Sequence, residues 1–325
     1  MRLHDCPACG ARAFFRNTSC GACGADLVYD PETDAFRGGL TPCRNRPAIG
    51  CNWSDAGRGL CDACAMTEVV PDAFQHGNAA LWADAETAKR WALAGLRRWR
   101  WFGAGDFGPR PVFHLLSERT ATGPLPVSMG HAAGVVTINV VEGDPAELVR
   151  RREALGEPYR TMLGHFRHEI AHFLFDRLAA ARAGFLGGFR ALFGDERADY
   201  AAALERHHAF GPPEGWARDR VTAYAAAHPH EDWAETAAHA LALSDLADSA
   251  AAAGLAPPDA PPLSADAYAE RDAERLFARA AALGVALNHA NRAMGLDDLY
   301  PFVLTPIVRD KLAFAQAALR DDPAG

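Results

Sequence analysis

All eight cysteines of this chain lie between Cys6 and Cys64, and none occurs in residues 65–325. Such segregation marks a domain boundary, because the fold of that one end must bring the whole set together. Cys6-x2-Cys9 followed by Cys20-x2-Cys23 has the knuckle spacing of a zinc ribbon: each pair presents two thiolates from one turn, and the intervening hairpin gathers the pairs around a tetrahedral ion. Gly10, Gly21 and Gly24 suit the tight turns, and Phe14 and Phe15 supply a small core. Cys43, Cys51, Cys61 and Cys64 form a less regular second set, with one CxxC pair and one wide pair. Sequential pairing into two four-thiolate sites is expected; an interlaced arrangement, with alternate pairs sharing a metal, is the alternative. About seventy residues bury too little apolar surface to fold well without metal, so structural zinc is the reading for all eight.

The second constraint is His168-Glu169-Ile170-Ala171-His172, which reads as HExxH. Two histidines four apart lie on one helical face, so both imidazoles reach one zinc ion, and the intervening glutamate lands beside the water that the ion activates. Ile170, Phe173, Leu174, Phe175 and Leu178 give the helix a buried face, which seats it inside a domain. The segment from about Pro158 to Ala181 is therefore expected to be the metal helix.

The surrounding pattern predicts its scaffold. A helix is expected over Glu86–Trp101 and another from Asp144-Pro145, a cap and first-turn proline, to about Leu155. Pro111–Leu116 and Gly134–Val141 are β-branched apolar runs bounded by Gly and Pro, expected to form a small sheet under the metal helix. An extended substrate could pair with the edge of a strand such as Gly134–Val141. The Ala- and Pro-rich stretch 250–264 reads as a linker or long loop, and helices are expected near Ala265–Leu283 and Thr305–Leu319. The expected division is a 1–70 zinc-ribbon module, a 71–250 catalytic core and a 251–325 helical segment packed on that core.

With 49% hydrophobic residues, no apolar run of the ~18–20 residues that spans a membrane and no apolar leader after Met1, a soluble cytoplasmic protein is expected. In a reducing compartment clustered cysteines serve metals rather than disulfides. The net charge is −8 and Lys89 and Lys311 are the only lysines, so no basic block tracks phosphates, and neither nucleic acid nor membrane is an expected partner.

HExxH supplies two protein ligands, and a third is needed. In Tyr224-Ala-Ala-Ala-His228-Pro229-His230-Glu231-Asp232-Trp233-Ala234-Glu235, Glu231 and Glu235 stand one helical turn apart. Glu231 can bind zinc while Glu235 hydrogen-bonds the far nitrogen of a liganding histidine. His228 and His230 are competing ligands. His165, one turn before His168, is a candidate for substrate contact or support of a ligand, with a satisfied core histidine as the alternative. Asp176, one turn after His172, is a candidate supporting carboxylate, with pairing to Arg177 or Arg160 as the alternative. Asp195, Glu196 and Asp199 read as helix-start and ion-pair residues.

This arrangement resembles the gluzincins, and Tyr-x6-Glu-x3-Glu is similar to the corresponding stretch of anthrax lethal factor; the likeness implies Tyr224 as the phenol that stabilises the oxyanion. A wider resemblance covers nearly the whole chain, through Cys51-Asn52-Trp53, Gly164–Glu169, Phe193–Tyr200, Glu231–Glu235 and Asp298-Leu299-Tyr300-Pro301-Phe302. These look like the bacterial family of zinc-binding metallopeptidases with an N-terminal zinc ribbon. The resemblance implies an α+β fold, a mostly helical zincin-like domain with a small β-sheet behind a cysteine-rich module. One zinc would be catalytic and two structural.

The expected function is a zinc metallopeptidase acting on a protein or peptide, with Glu169 as general base; the ribbon is read as structural, with recruitment of a partner or substrate as the alternative. The rival classes are a non-catalytic interaction protein, whose HExxH metal is closed by a fourth ligand such as His165 or His230, and a zinc hydrolase of a non-peptide amide or a protein modifier.

Overall fold

The computed structural model describes residues 3–157, 159–257, 260–262 and 266–320, in two compact units, 1–170 and 171–325. The fold is α+β, about half helical, with small sheets and a cysteine-rich start. Among the described residues no helix is long and apolar enough to cross a membrane.

The first unit opens with two knuckles. Gly10 N–H donates to Cys6 O and Gly24 N–H to Cys20 O, and both glycines take left-handed φ values of 72° and 74° that a side chain would resist. Asn52 ties the knuckles to the second cysteine set, its Nδ2 donating to Phe15 O and, at 3.2 Å, to Asn17 O. Behind this module lies a four-stranded sheet of β1 (Thr67–Val69), β2 (Val112–Leu116), β3 (Gly130–Ala132) and β4 (Val135–Asn139), in the order β1-β2-β4-β3. β1, β2 and β4 run parallel and β3 antiparallel. Phe113 and Leu115 on β2 and Val136 and Ile138 on β4 are buried, the period-two alternation of a sheet packed on one face.

Helix α1 (Asn78–Arg98) starts eight residues earlier than the apolar spacing alone suggests. Its Lys89 is fully buried against Glu86 (2.9 Å) and the Thr67 hydroxyl. Helix α2 (Pro145–Leu155) begins as expected, Asp144 accepting from the N–H groups of Ala146 and Glu147. Helix α3 (Met162–Ala181) carries the HExxH run, and its Phe166 ring meets Phe113 of the sheet at 5.8 Å. The strand expected to offer its edge does not: β4 is hydrogen-bonded on both sides, to β2 and β3, because the Gly134 turn folds β3 back onto it, and the edge strand there is Gly130–Ala132.

Glu142, in the turn after β4, is 1% exposed and holds a charged network together. Its carboxylate receives Arg151 Nη1 at 2.5 Å and Arg160 Nε and Nη2 at 2.8 and 2.9 Å, and His165 Nε2 stands 3.5 Å away. Burial pushes this carboxyl up, but the His165 and Arg160 contacts outweigh it and hold the group well below the usual carboxylate range.

The second unit is helical: α4 (Phe185–Phe193), α5 (Tyr200–Phe210), α6 (Pro229–Ala252), α7 (Ala273–Ala293) and α8 (Pro306–Arg320). Phe175, Phe185, Phe189, Phe193 and Phe314 surround the buried Trp233, with centroids 5.3–6.4 Å from its ring. Asp232, fully buried, accepts from Lys311 Nζ at 2.7 Å and pairs with Arg220 Nε at 3.0 Å, fastening α8 to α6. Burial raises the Asp232 carboxyl to about 6 despite those two cations. The stretch 250–264 begins helical, because α6 continues to Ala252; part of it, including 258–259 and 263–264, lies outside the described residues.

A carboxyl depressed in the folded state contributes its full stability only above its unfolded value of ~4.3, and that contribution is lost as pH falls. Glu142→Gln should therefore cost about 3 kcal/mol at pH 7, the scale for removing one partner of a buried ion pair. The gap from wild type should narrow below pH ~4; urea unfolding at pH 7 and pH 3 checks both.

Candidate metal centres

Three groups of side chains have ligand atoms close enough to share an ion: Cys6, Cys9, Cys20 and Cys23; Cys43, Cys51, Cys61 and Cys64; and His168, His172 and Glu231. The cysteines are grouped sequentially rather than interlaced. In the first group Sγ atoms of Cys6 and Cys23 stand 3.9 Å apart and those of Cys9 and Cys20 3.7 Å; in the second, Cys51 lies 3.6 Å from Cys61 and 3.8 Å from Cys64. Two sulfurs at ~2.3 Å from a tetrahedral ion stand about 3.8 Å apart, so both groups have the spacing of zinc thiolates and none has that of a disulfide. Backbone N–H groups also point at the sulfurs, Cys61 N to Cys43 Sγ at 3.3 Å and Cys64 N to Cys61 Sγ at 3.4 Å. Such bonds favour the ionised thiolate that a metal requires.

The third group is built by two helices. α3 places His168 and His172 one turn apart, and α6 places Glu231 in its first turn. The helix starts there because Pro229 occupies its first position and His228 caps it, Nδ1 accepting from His230 N at 3.1 Å. His172 Nε2 is 3.5 Å from Glu231 Oε1, near the 3.3–3.4 Å that two donors at ~2.0–2.1 Å from a shared tetrahedral ion keep. Trp233 fixes this placement: its Nε1–H donates to the Ala171 carbonyl at 2.9 Å, next to His172 on one side and two residues past Glu231 on the other. Glu169 lies one residue past His168, nearly buried, and its Oε2 accepts no hydrogen bond from any described residue. A buried carboxylate oxygen of that kind is costly unless water or a substrate completes it.

The other expected residues fall as follows. Glu235 is half-buried on α6 one turn beyond Glu231, and Asp176 is exposed on α3 one turn beyond His172. His165 points to Glu142. His228 faces Ala198 O at 3.0 Å, and the His230 ring packs on Phe175 with its centroid 6.5 Å from that of His172; neither joins the group of three. Tyr224 opens a short 3-10 turn ahead of α6, its ring edge-on to His207 at 5.9 Å. A second phenol, Tyr200, donates to Glu231 Oε1 at 2.6 Å. Spacing could not reveal it, since it stands 31 positions from Glu231 on another helix. Asp195, Glu196 and Asp199 pair with Arg197, pair with Arg190 and cap α5, respectively.

Residues 78–318 match the family described as "Putative zinc-binding metallo-peptidase", and residues 3–38 match a zinc-ribbon domain. The chain belongs to that metallo-peptidase family. It is 40% identical over 329 residues to uncharacterised proteins of Mycobacterium bovis and of two Mycobacterium tuberculosis strains, covering 97% of this chain and 94% of each relative. No solved structure matches the chain significantly.

Within this family member the donor sets differ in kind. Two sets offer four soft thiolates; the third offers two imidazoles and a carboxylate. Cys61→Ser should remove one equivalent of zinc and open residues 43–64 to proteolysis, because a thiolate site of this size supplies folding energy directly. His172→Ala should leave the cysteine-bound zinc in place. Metal analysis of the purified variants by mass spectrometry, with limited trypsinolysis, checks both.

Proposed function

We propose that this protein is a gluzincin-like zinc peptidase that hydrolyses a peptide bond, with His168, His172 and Glu231 holding the catalytic metal. The observation that carries this reading is the count of donors. Among the described residues the third group has three protein ligands where each cysteine group has four. Four ligands close a structural site, whereas three leave a position for water and substrate. This same count weighs against the closed, purely structural HExxH metal.

Zinc, when bound, would polarise the scissile carbonyl and lower the pKa of water towards ~7. Glu169 Oε2, which accepts no hydrogen bond from any described residue, would take a proton from a water and return it to the leaving amine, a role that suits a nearly buried carboxylate next in sequence to His168. Tyr224 is assigned to donate to the oxyanion as the substrate carbonyl becomes tetrahedral. Glu235 and Asp176, each one turn from a ligand, are assigned to orient the ligand side chains.

The zinc ribbon of residues 1–70 is assigned the recruitment of a protein partner, residues 71–250 the catalytic core, and residues 251–325 a packed helical support. Ligand cysteines that must stay reduced suit a reducing compartment, and the cytoplasm is the location assigned.

Glu169→Gln keeps the side-chain shape and removes the base. It should retain all bound zinc and lose ~10²- to 10⁴-fold in turnover. Incubating the variant with a peptide library derived from a bacterial proteome, and comparing cleavage products with those of wild type by mass spectrometry, reads the effect. Equal cleavage by both proteins would exclude Glu169 as the base.

A further inference from the structure

We infer that Tyr200 is the positioning residue of the Glu231 carboxylate, and that its hydroxyl sets the affinity of the His168, His172 and Glu231 group for zinc; the inference rests on the metal site proposed above. Three observations converge on it. The Tyr200 hydroxyl donates to Glu231 Oε1 at 2.6 Å, the short distance of a bond to an ionised carboxylate. This is the same oxygen that stands 3.5 Å from His172 Nε2, so the phenol acts on the atom that faces the other ligand. Its own position is fixed from behind: Asp199 caps α5 by accepting from Ala202 N at 3.0 Å, and the Tyr200 ring packs edge-on to His228 at 5.1 Å. His228 in turn faces the Ala198 carbonyl at 3.0 Å and caps α6, so the start of α5 and the start of α6 are clamped to each other two residues from Tyr200 and three from Glu231.

The physical consequence is preorganisation. A glutamate has three rotatable side-chain bonds, and ordering them when the metal arrives costs binding free energy. The Tyr200 bond pays that cost during folding, and partners of ligating carboxylates are typically worth 10- to 100-fold in metal affinity. Tyr200 is 44% exposed, so replacing it by phenylalanine removes one oxygen and leaves no core cavity. The two phenols then divide the work: Tyr200 acts through Glu231, and Tyr224 is left for the substrate.

The test measures zinc affinity of the full chain by competition with a chromogenic chelator, with melting temperature recorded for each variant. Tyr200→Phe should bind the third zinc ~10- to 100-fold more weakly than wild type, with both cysteine-bound zinc ions retained and the melting temperature of the protein lacking the third zinc unchanged. Tyr224→Phe should match wild type in affinity. If Tyr200→Phe binds the third zinc as tightly as wild type does, the positioning role is overturned while the metal site stands. If wild type holds only the cysteine-bound zinc, and Glu231→Ala changes nothing, both the site and the role of Tyr200 are overturned.

Discussion

The hydrogen bond from Trp233 Nε1 to the Ala171 carbonyl is the constraint on which the histidine–glutamate group depends. A carbonyl beside His172 and an indole two residues past Glu231 fix the register of α3 against α6 within a fraction of a helical turn. The bond is buried, where an unpaired indole N–H or carbonyl would be expensive, so a slip of one helix along the other is penalised at once. Five phenylalanine rings packed around Trp233 hold the indole in place and exclude the water that could replace the bond. The sequence neighbours of the ligands therefore do the positioning, and the ligands themselves are left for chemistry.

Buried charge fixes elements within each unit. Both lysines of the chain are inside it, Lys89 against Glu86 and Lys311 against Asp232, and Glu142 gathers two arginines and His165. Buried ion pairs add little net stability because desolvation offsets attraction, but losing one partner is costly. Their effect here is positional. Asp232 follows Glu231 directly, so its bonds to Lys311 and Arg220 anchor the first turn of α6, and the C-terminal helix acquires a role that composition alone did not suggest.

Features with a local period were legible in the sequence. The two CxxC knuckles, the HExxH pair, the Asp144-Pro145 helix start and the Glu231–Glu235 turn each declare themselves within a few residues, because helical and knuckle geometry convert spacing into direction. Contacts set by loops had no such signal. Tyr200 reaches Glu231 across 31 positions, and His239 meets the Tyr300 hydroxyl at 2.8 Å and Phe302 at 4.4 Å across more than sixty. His239, set among alanines on α6, is the partner of the buried Tyr300. The edge of the sheet was misplaced for the same reason: Gly130–Ala132 is too short and polar to read as a strand, and it covers the longer one.

The central claim is that two metal centres are closed by four thiolates while a third is held by three protein side chains and left open. A crystal structure of the zinc-loaded protein with anomalous data on both sides of the zinc edge tests this most directly. The account predicts three anomalous peaks per chain, one of them within ligand distance of His168, His172 and Glu231 and of no fourth protein donor. A fourth side chain on that ion, or no peak there while both cysteine centres are filled, would contradict it.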